Sequence, residues 1–272
     1  MIKTEAALLL VDAHLHIDQL SLQVADLSSC FVPGSSCLAS SHSQKTLDTS
    51  RALCAKLPSS IKIFLSLGLH PQLPVFDEAE ALADAAAAGS ISAIGECGFD
   101  FFGDTPLRTR TPQNERLQRT IFEYQVNLAL RHNLPMVLHL RKATDLIFEY
   151  INAMAQLPGL IFHGWTGPPN EAISLLKRCP RALFSFGTGL LNGNKKSQEC
   201  VRQLPASALL TESDAPFQPP RERPEPGARV IREWSQPDDV AAVLRFMAEL
   251  RGCQESELAA IIRSNFEQLF KD

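Results

Sequence analysis

Short apolar runs of strand type recur along this chain, and longer segments with helical spacing lie between most of them. The runs are ALLLV, CFV, IKIFLSLG, ISAIG, PMVLHL, GLIFHG, ALFSFG and ALLTES. The helical segments include EAEALADAAAA, LQRTIFEYQVNLALRH, TDLIFEYINAMAQ and NEAISLLKRC, and Pro237 to Phe270 reads as two helices parted near Gly252. A strand that is apolar on both faces needs cover on both, and helices between parallel strands supply it. Eight such candidates in 272 residues predict an α/β chain folded as a (β/α)8 barrel, which usually takes ~250 residues. An open doubly wound sheet is the competing solution. No obvious linker divides the chain, so residues 1–272 read as a single domain.

Composition narrows the class. An apolar content of 45% and a charged content of 21% are those of an ordinary globular protein. No run approaches the ~18 apolar residues of a membrane span. The five-residue run that ends at Asp12 is too short for a signal peptide. Seven scattered cysteines without a CxxC pair exclude a zinc ribbon and a thioredoxin-like site, and suit a reducing, cytoplasmic setting. A balance of 26 basic to 30 acidic residues argues against a broad basic face for nucleic acid, though not against a nucleic acid held through metal ions. No obligate protein partner is evident.

The stretch VDAHLHID ends the first apolar run with Asp12, His14 and His16 at alternate positions. In a strand His14 and His16 point the same way, which suits one metal ion or, equally, two surface histidines. The rest of the chain weighs on that choice. His70 follows IFLSLGL, His139 lies in PMVLHL and His163 follows GLIF, so five of the seven histidines fall at predicted strand ends. His42 and His132 fall in a polar linker and at a helix end. Glu96, Glu212 and Asp214 also end strand runs. In a barrel those ends converge on the face that carries the active site. A carboxylate at an apolar strand tip needs a partner, and imidazoles with a central carboxylate suit two divalent ions that clamp a phosphodiester.

With those residues assembled, the chain resembles the TatD family of metal-dependent hydrolases. The resemblance runs through DAHLHID (Asp12–Asp18), GLHPQ, IGECGFDFF, the helical set Gln118, Phe122 and Gln125, LPMVLHLRKA, FHGWTG, LLTESDAPF and NFEQLF. It implies that His14, His16 and Asp214 bind a first metal, that Glu96 bridges, and that His139 and His163 hold the second. It further implies Asp214 as general base and His70 near the substrate phosphate. Arg141 shares a face with His139 and could pair with a phosphate oxygen. Glu212 is expected behind an imidazole, fixing its tautomer, or in a structural salt bridge. Asp100 reads as a cap or loop anchor, and Cys97 as structural.

The function implied is a two-metal deoxyribonuclease, acting on single-stranded or frayed 3′ ends with magnesium, manganese or zinc. The alternative is a small-molecule hydrolase of C–N or C–O bonds on the same barrel. Leu140, Lys142 and the Ser235–Pro237 stretch depart from the family pattern in loops expected to line the cleft. Arg108, Arg110, Arg221 and Arg223 are candidates for a basic rim, and Phe101, Phe102, Trp165 and Phe217 for base stacking, with packing preferred for at least two of the four aromatics.

Overall fold

The computed structural model describes residues 8–221 and 232–270; Arg223 lies outside them. The strands are β1 (Val11–Leu15), β2 (Ser36–Ser41), β3 (Lys62–Leu67), β4 (Ala93–Asp100), β5 (Met136–Arg141), β6 (Leu160–Phe162), β7 (Ala182–Phe186) and β8 (Leu209–Thr211). They pair in parallel in chain order. After β1 and β2 come α1 (Ile17–Leu20) and α2 (Gln44–Cys54). After β3 to β7 come α3 (Ala79–Ala87), α4 (Pro112–His132), α5 (Thr144–Met154), α6 (Pro169–Arg178) and α7 (Lys195–Gln203). Helices α8 (Val240–Arg251) and α9 (Glu255–Leu269) follow β8, with Gly252 at φ 64 ending α8.

The first and last strands meet. The Thr211 hydroxyl donates to the Val11 carbonyl at 2.5 Å, the Asp214 amide to the His14 carbonyl at 2.9 Å, and the His16 amide to the Ala215 carbonyl at 2.7 Å. This closes the (β/α)8 barrel that the strand–helix rhythm predicts. Phe99, Phe122, Phe162, Phe184 and Phe186 are fully buried. Each is worth roughly 1.5–3 kcal/mol of transfer free energy by area arguments.

One predicted strand is wrong. CFV lies in and after a 3-10 turn (Leu27–Cys30), and the second strand is SCLASS. That strand is buried throughout yet polar, and two of its three serines find partners inside the fold: Ser40 Oγ lies 2.9 Å from Ser66 Oγ, and Ser41 Oγ 3.3 Å from Ser50 Oγ, while the buried Ser36 hydroxyl has no partner among the described residues. The first strand also starts later than ALLLV suggests, at Val11, and so carries His14 within it.

Two glutamines of α4 anchor strand ends. Gln125 accepts from the Leu69 amide at 2.8 Å and donates to the Leu69 carbonyl at 3.1 Å. Gln118 does the same for Asp100, at 2.9 and 3.0 Å. Each amide replaces a strand neighbour where the ladder stops, leaving neither backbone group unsatisfied. With Phe122 between them, they fix the tips of β3 and β4 over one helix face. Gly98, at φ +132, permits β4 to approach β5, since a Cβ there would stand 2.3 Å from the His139 carbonyl oxygen.

Candidate metal centre

Strand β4 delivers Glu96 to the barrel mouth, where its side chain is buried among imidazoles. Its Oε2 lies 3.2 Å from His14 Nε2, 3.3 Å from His16 Nε2 and 3.2 Å from His42 Nε2. Its Oε1 lies 3.0 Å from His139 Nδ1, 2.9 Å from His163 Nε2 and 3.3 Å from His70 Nε2. Asp214 Oδ1 is 3.6 Å from both His14 and His16. The residues expected at the strand tips therefore do come together.

His42 was missed as a member of this cluster. It directly follows β2, and the misplaced second strand hid that position. It forms with His70 and Glu96 a fourth group able to hold a cation, beside His14–His16–Glu96, His14–His163–Asp214 and Glu96–His139–His163.

The far sides of the rings are also held. Ser40 Oγ lies 3.2 Å from His14 Nδ1, and Asp100 Oδ2 lies 3.0 Å from His139 Nε2. Asp100 does cap the Phe102 amide at 2.8 Å, but it is more than a loop anchor: Gln72 Nε2 also donates to it at 2.8 Å. Glu212 Oε2 accepts from Ser185 Oγ at 2.5 Å and faces His163 Nδ1 at 3.6 Å, an ion-pair separation too long for a hydrogen bond. Asp100 behind His139 places that ring's proton outward and its free lone pair inward, whereas Glu212 acts on His163 across 3.6 Å by charge alone, His163 Nδ1 having no hydrogen-bond partner among the described residues. Inside, His14 Nε2 and His16 Nε2 stand 3.2 Å apart, and His139 Nδ1 and His163 Nε2 3.1 Å apart. Paired nitrogens at that distance can share one proton at most, or each can donate to a cation. The donor set thus fits divalent metal, with nitrogen and carboxylate ligands of the kind zinc and manganese accept.

Electrostatics agree. Burial disfavours charge on Glu96, but the neighbouring His14, His163 and His70 hold its carboxyl well below the usual range. Burial also opposes protonation of His16, yet the neighbouring carboxylates Asp214 and Glu96 push it up to about 10. His163, buried too, is driven well above its ordinary value by Glu96 and Glu212. Burial would raise Asp214, but the neighbouring imidazoles of His16, His14 and His163 hold it at about 2. His14 is pushed down by burial, and His70 likewise to about 3. Protons on His16 and His163 supply the countercharge that cations would replace.

Asp12, the first of the three alternating polar residues, does not join the cluster. Its carboxylate accepts from the Ser213 amide at 2.8 Å and the Ser213 hydroxyl at 2.6 Å, binding β1 to the segment that carries Asp214. Asp214 itself has φ 54, a left-handed conformation that aspartate tolerates better than most residues. Gln218 Nε2 donates to its second oxygen at 2.6 Å.

A cavity of about 630 Å³ opens onto the cluster and is lined also by Leu73, Phe102, Arg108, Arg141 and Phe217. Arg141 Nη1 donates to the Gly164 carbonyl and Thr166 Oγ1, each at 3.4 Å, and has no carboxylate partner among the described residues. Of the four aromatics, Phe101 and Trp165 are buried, while Phe102 and Phe217 are 57% and 50% exposed. Arg110 is committed to Asp145 and Glu115, so it is not a free rim cation. Arg108 leans on Asp100 at 3.5 Å, and Arg221 stands at the border of the described segment.

A model of the family described as TatD related DNase matches residues 11–271. The chain belongs to the TatD-related DNase family. This TatD-family chain is 31% identical over 214 residues to an uncharacterized metal-dependent hydrolase, YabD, of Bacillus subtilis, covering 77% of this chain and 78% of the relative. It is 30% identical over 199 residues to the 3'-5' ssDNA/RNA exonuclease TatD of Citrobacter rodentium, covering 71% and 70%. The TatD homolog YJJV of Escherichia coli shares its fold with a TM-score of 0.78 at 23% identity, over 96% of this chain and 97% of that one. The TatD-family chain is accordingly a metal-dependent hydrolase. No helix among the described residues is long and apolar enough to cross a membrane.

Proposed function

We propose that this hydrolase is a deoxyribonuclease that cleaves phosphodiester bonds of single-stranded DNA from 3′ ends, with two divalent ions, and that residues 1–272 form one domain for that purpose. The observation that carries the two-ion reading is the division of Glu96, whose two oxygens each face a separate set of imidazoles. His14, His16 and Asp214 would hold one ion, His139 and His163 the other, and Glu96 both. Magnesium, manganese and zinc are the candidates. Bound there, such ions supply Lewis-acid charge for a developing phosphate oxyanion and make water more acidic.

The chain's own residues do the rest. Asp214, held at about 2, is ionised at neutral pH and takes the proton from the attacking water. Gln218 keeps the carboxylate turned toward the cluster. Arg141, free of carboxylates among the described residues, offers its guanidinium to a non-bridging phosphate oxygen, while His42 and His70 present imidazoles beside it in the same cavity. Asp100 and Glu212 keep His139 and His163 facing inward. Phe102 and Phe217 offer stacking surface to unpaired bases, worth about 1–3 kcal/mol per base. The relative from Citrobacter rodentium, named a 3'-5' ssDNA/RNA exonuclease, supports a nucleic-acid substrate.

The test is a digestion time course on single-stranded DNA, using chelator-stripped protein with magnesium, manganese or zinc restored, and Asp214→Asn alongside. Cleavage that needs metal and is lost in the variant supports the reading. Cleavage that persists after stripping, or no cleavage with any ion, rejects it.

A further inference from the structure

The barrel face that carries the cluster is electrostatically lopsided. The segments after β1 and β3, residues 16–35 and 68–78, contain Asp18, Asp26, Asp77 and Glu78 and no lysine or arginine, and the segment between them, after β2, brings one lysine, Lys45, to the start of its helix. Across the face, β5 ends in Arg141 and is followed by Lys142, and α7 opens with Lys195 and Lys196. Lys142 and Lys196 are exposed and have no carboxylate partner among the described residues. The Lys142 ammonium sits 4.9 Å from the centre of the exposed Phe102 ring.

These two lysines line a second cavity, of about 260 Å³, beside the first. It lies against the opposite face of β5, where Leu138 and Leu140 alternate with the His139 and Arg141 of the first cavity. The two cavities are continuous in chemistry. His163 lines both, and Thr166, which lines the second, stands 3.4 Å from Arg141, which lines the first. Thr144 and Thr166 add hydroxyl donors, and Glu171 is the single carboxylate among the lining residues.

We propose that this second cavity is a phosphate subsite. Lys142 and Lys196 hold the phosphate on the 5′ side of the scissile one, so the substrate strand leaves the centre over β5–β7 and not over β1–β3. The inference rests on the nucleic-acid reading above. A chain with net charge −4 repels a polyanion at long range, so the strand is drawn to whichever part of the face is locally basic. A lysine ammonium grips phosphate as a compact point charge and reads no base, as an enzyme processing successive nucleotides requires. Arg141 sits between the two cavities, next in line.

The experiment is fluorescence anisotropy with a labelled phosphorothioate dT12, which resists cutting, on manganese-loaded protein across a salt series. The double variant K142Q/K196Q is compared with K45Q/K56Q, which removes the same charge from exposed sites on α2 and just beyond it. Expected is a roughly tenfold weaker Kd for K142Q/K196Q, with a log Kd against log salt slope shallower by about 0.7, the loss of one phosphate contact on a single strand. K45Q/K56Q should stay within about twofold of wild type, far under that loss. Equal losses in the two double variants, or none in K142Q/K196Q, overturn the subsite while the nuclease reading stands. Wild-type protein that fails to bind the oligonucleotide overturns both.

Discussion

The two imidazole pairs that flank Glu96 are backed by different chemistry. Behind His14 stands a hydroxyl, Ser40, itself paired with Ser66. Behind His139 and His163 stand carboxylates, Asp100 at 3.0 Å and Glu212 at 3.6 Å. A carboxylate behind an imidazole raises its basicity and locks its tautomer, and a hydroxyl does less. The rings respond accordingly, with burial pushing His14 down while His163 is driven well above its ordinary value by Glu96 and Glu212 against the same effect. His16, on the first side, owes its elevation to Asp214 and Glu96. The carboxylates behind its rings predict that the β5–β6 side holds a cation more tightly than the β1 side.

Removing the shared member should erase that difference. Glu96→Ala is expected to strip metal from both sides and lower kcat by more than about 10³-fold, judged from two-metal chemistry; loss of a single equivalent, read by metal analysis, would show that Glu96 serves one side only. Asp214→Asn comes next. A drop of about 10²–10⁴ in kcat is expected, the range of general-base catalysis, with the β5–β6 equivalent retained. Unchanged turnover would remove Asp214 from proton transfer.

The comparison sharpens with the groups behind the rings. Asp100→Asn or Glu212→Gln should weaken the more tightly held ion by about 10–100-fold. Ser40→Ala should weaken the other by less than about tenfold, since only a neutral hydrogen bond is lost. Competition with a chelator reads both, and the reverse order would refute the assignment of retention to the β5–β6 side.

A further effect concerns pH. His16 sits at about 10 without metal, so at neutral pH it carries a proton that loading must expel. Metal affinity should then rise with pH until His16 loses that proton unaided, by up to about tenfold per unit for each proton displaced. Calorimetry in buffers of different ionisation enthalpy counts those protons; a count of zero contradicts the protonated starting state.

Much of this centre was legible because its residues sit where apolar periodicity breaks. His14, His139 and His163 each interrupt or end a run of buried residues, and Glu96 and Asp214 do the same with carboxylates. What stayed hidden lacked that contrast. Strand β2 reads SCLASS, whose serines look like a loop until Ser66, Ser50 and His14 are seen to receive them, and with β2 displaced His42 could not be placed at a strand tip. Asp100 was legible as a cap but not as the partner of His139, because that pairing depends on the register of β4 against β5.

The tie between Asp12 and Ser213 spans 201 positions of chain. His14 and His16 precede Asp214 by about two hundred residues, and they meet it only when the last strand docks beside the first. A chain cut short before β8 lacks the Asp214 end of the cluster. Closure of the barrel thus doubles as assembly of the cluster: only a chain that has folded through β8 brings Asp214 to the histidines of β1.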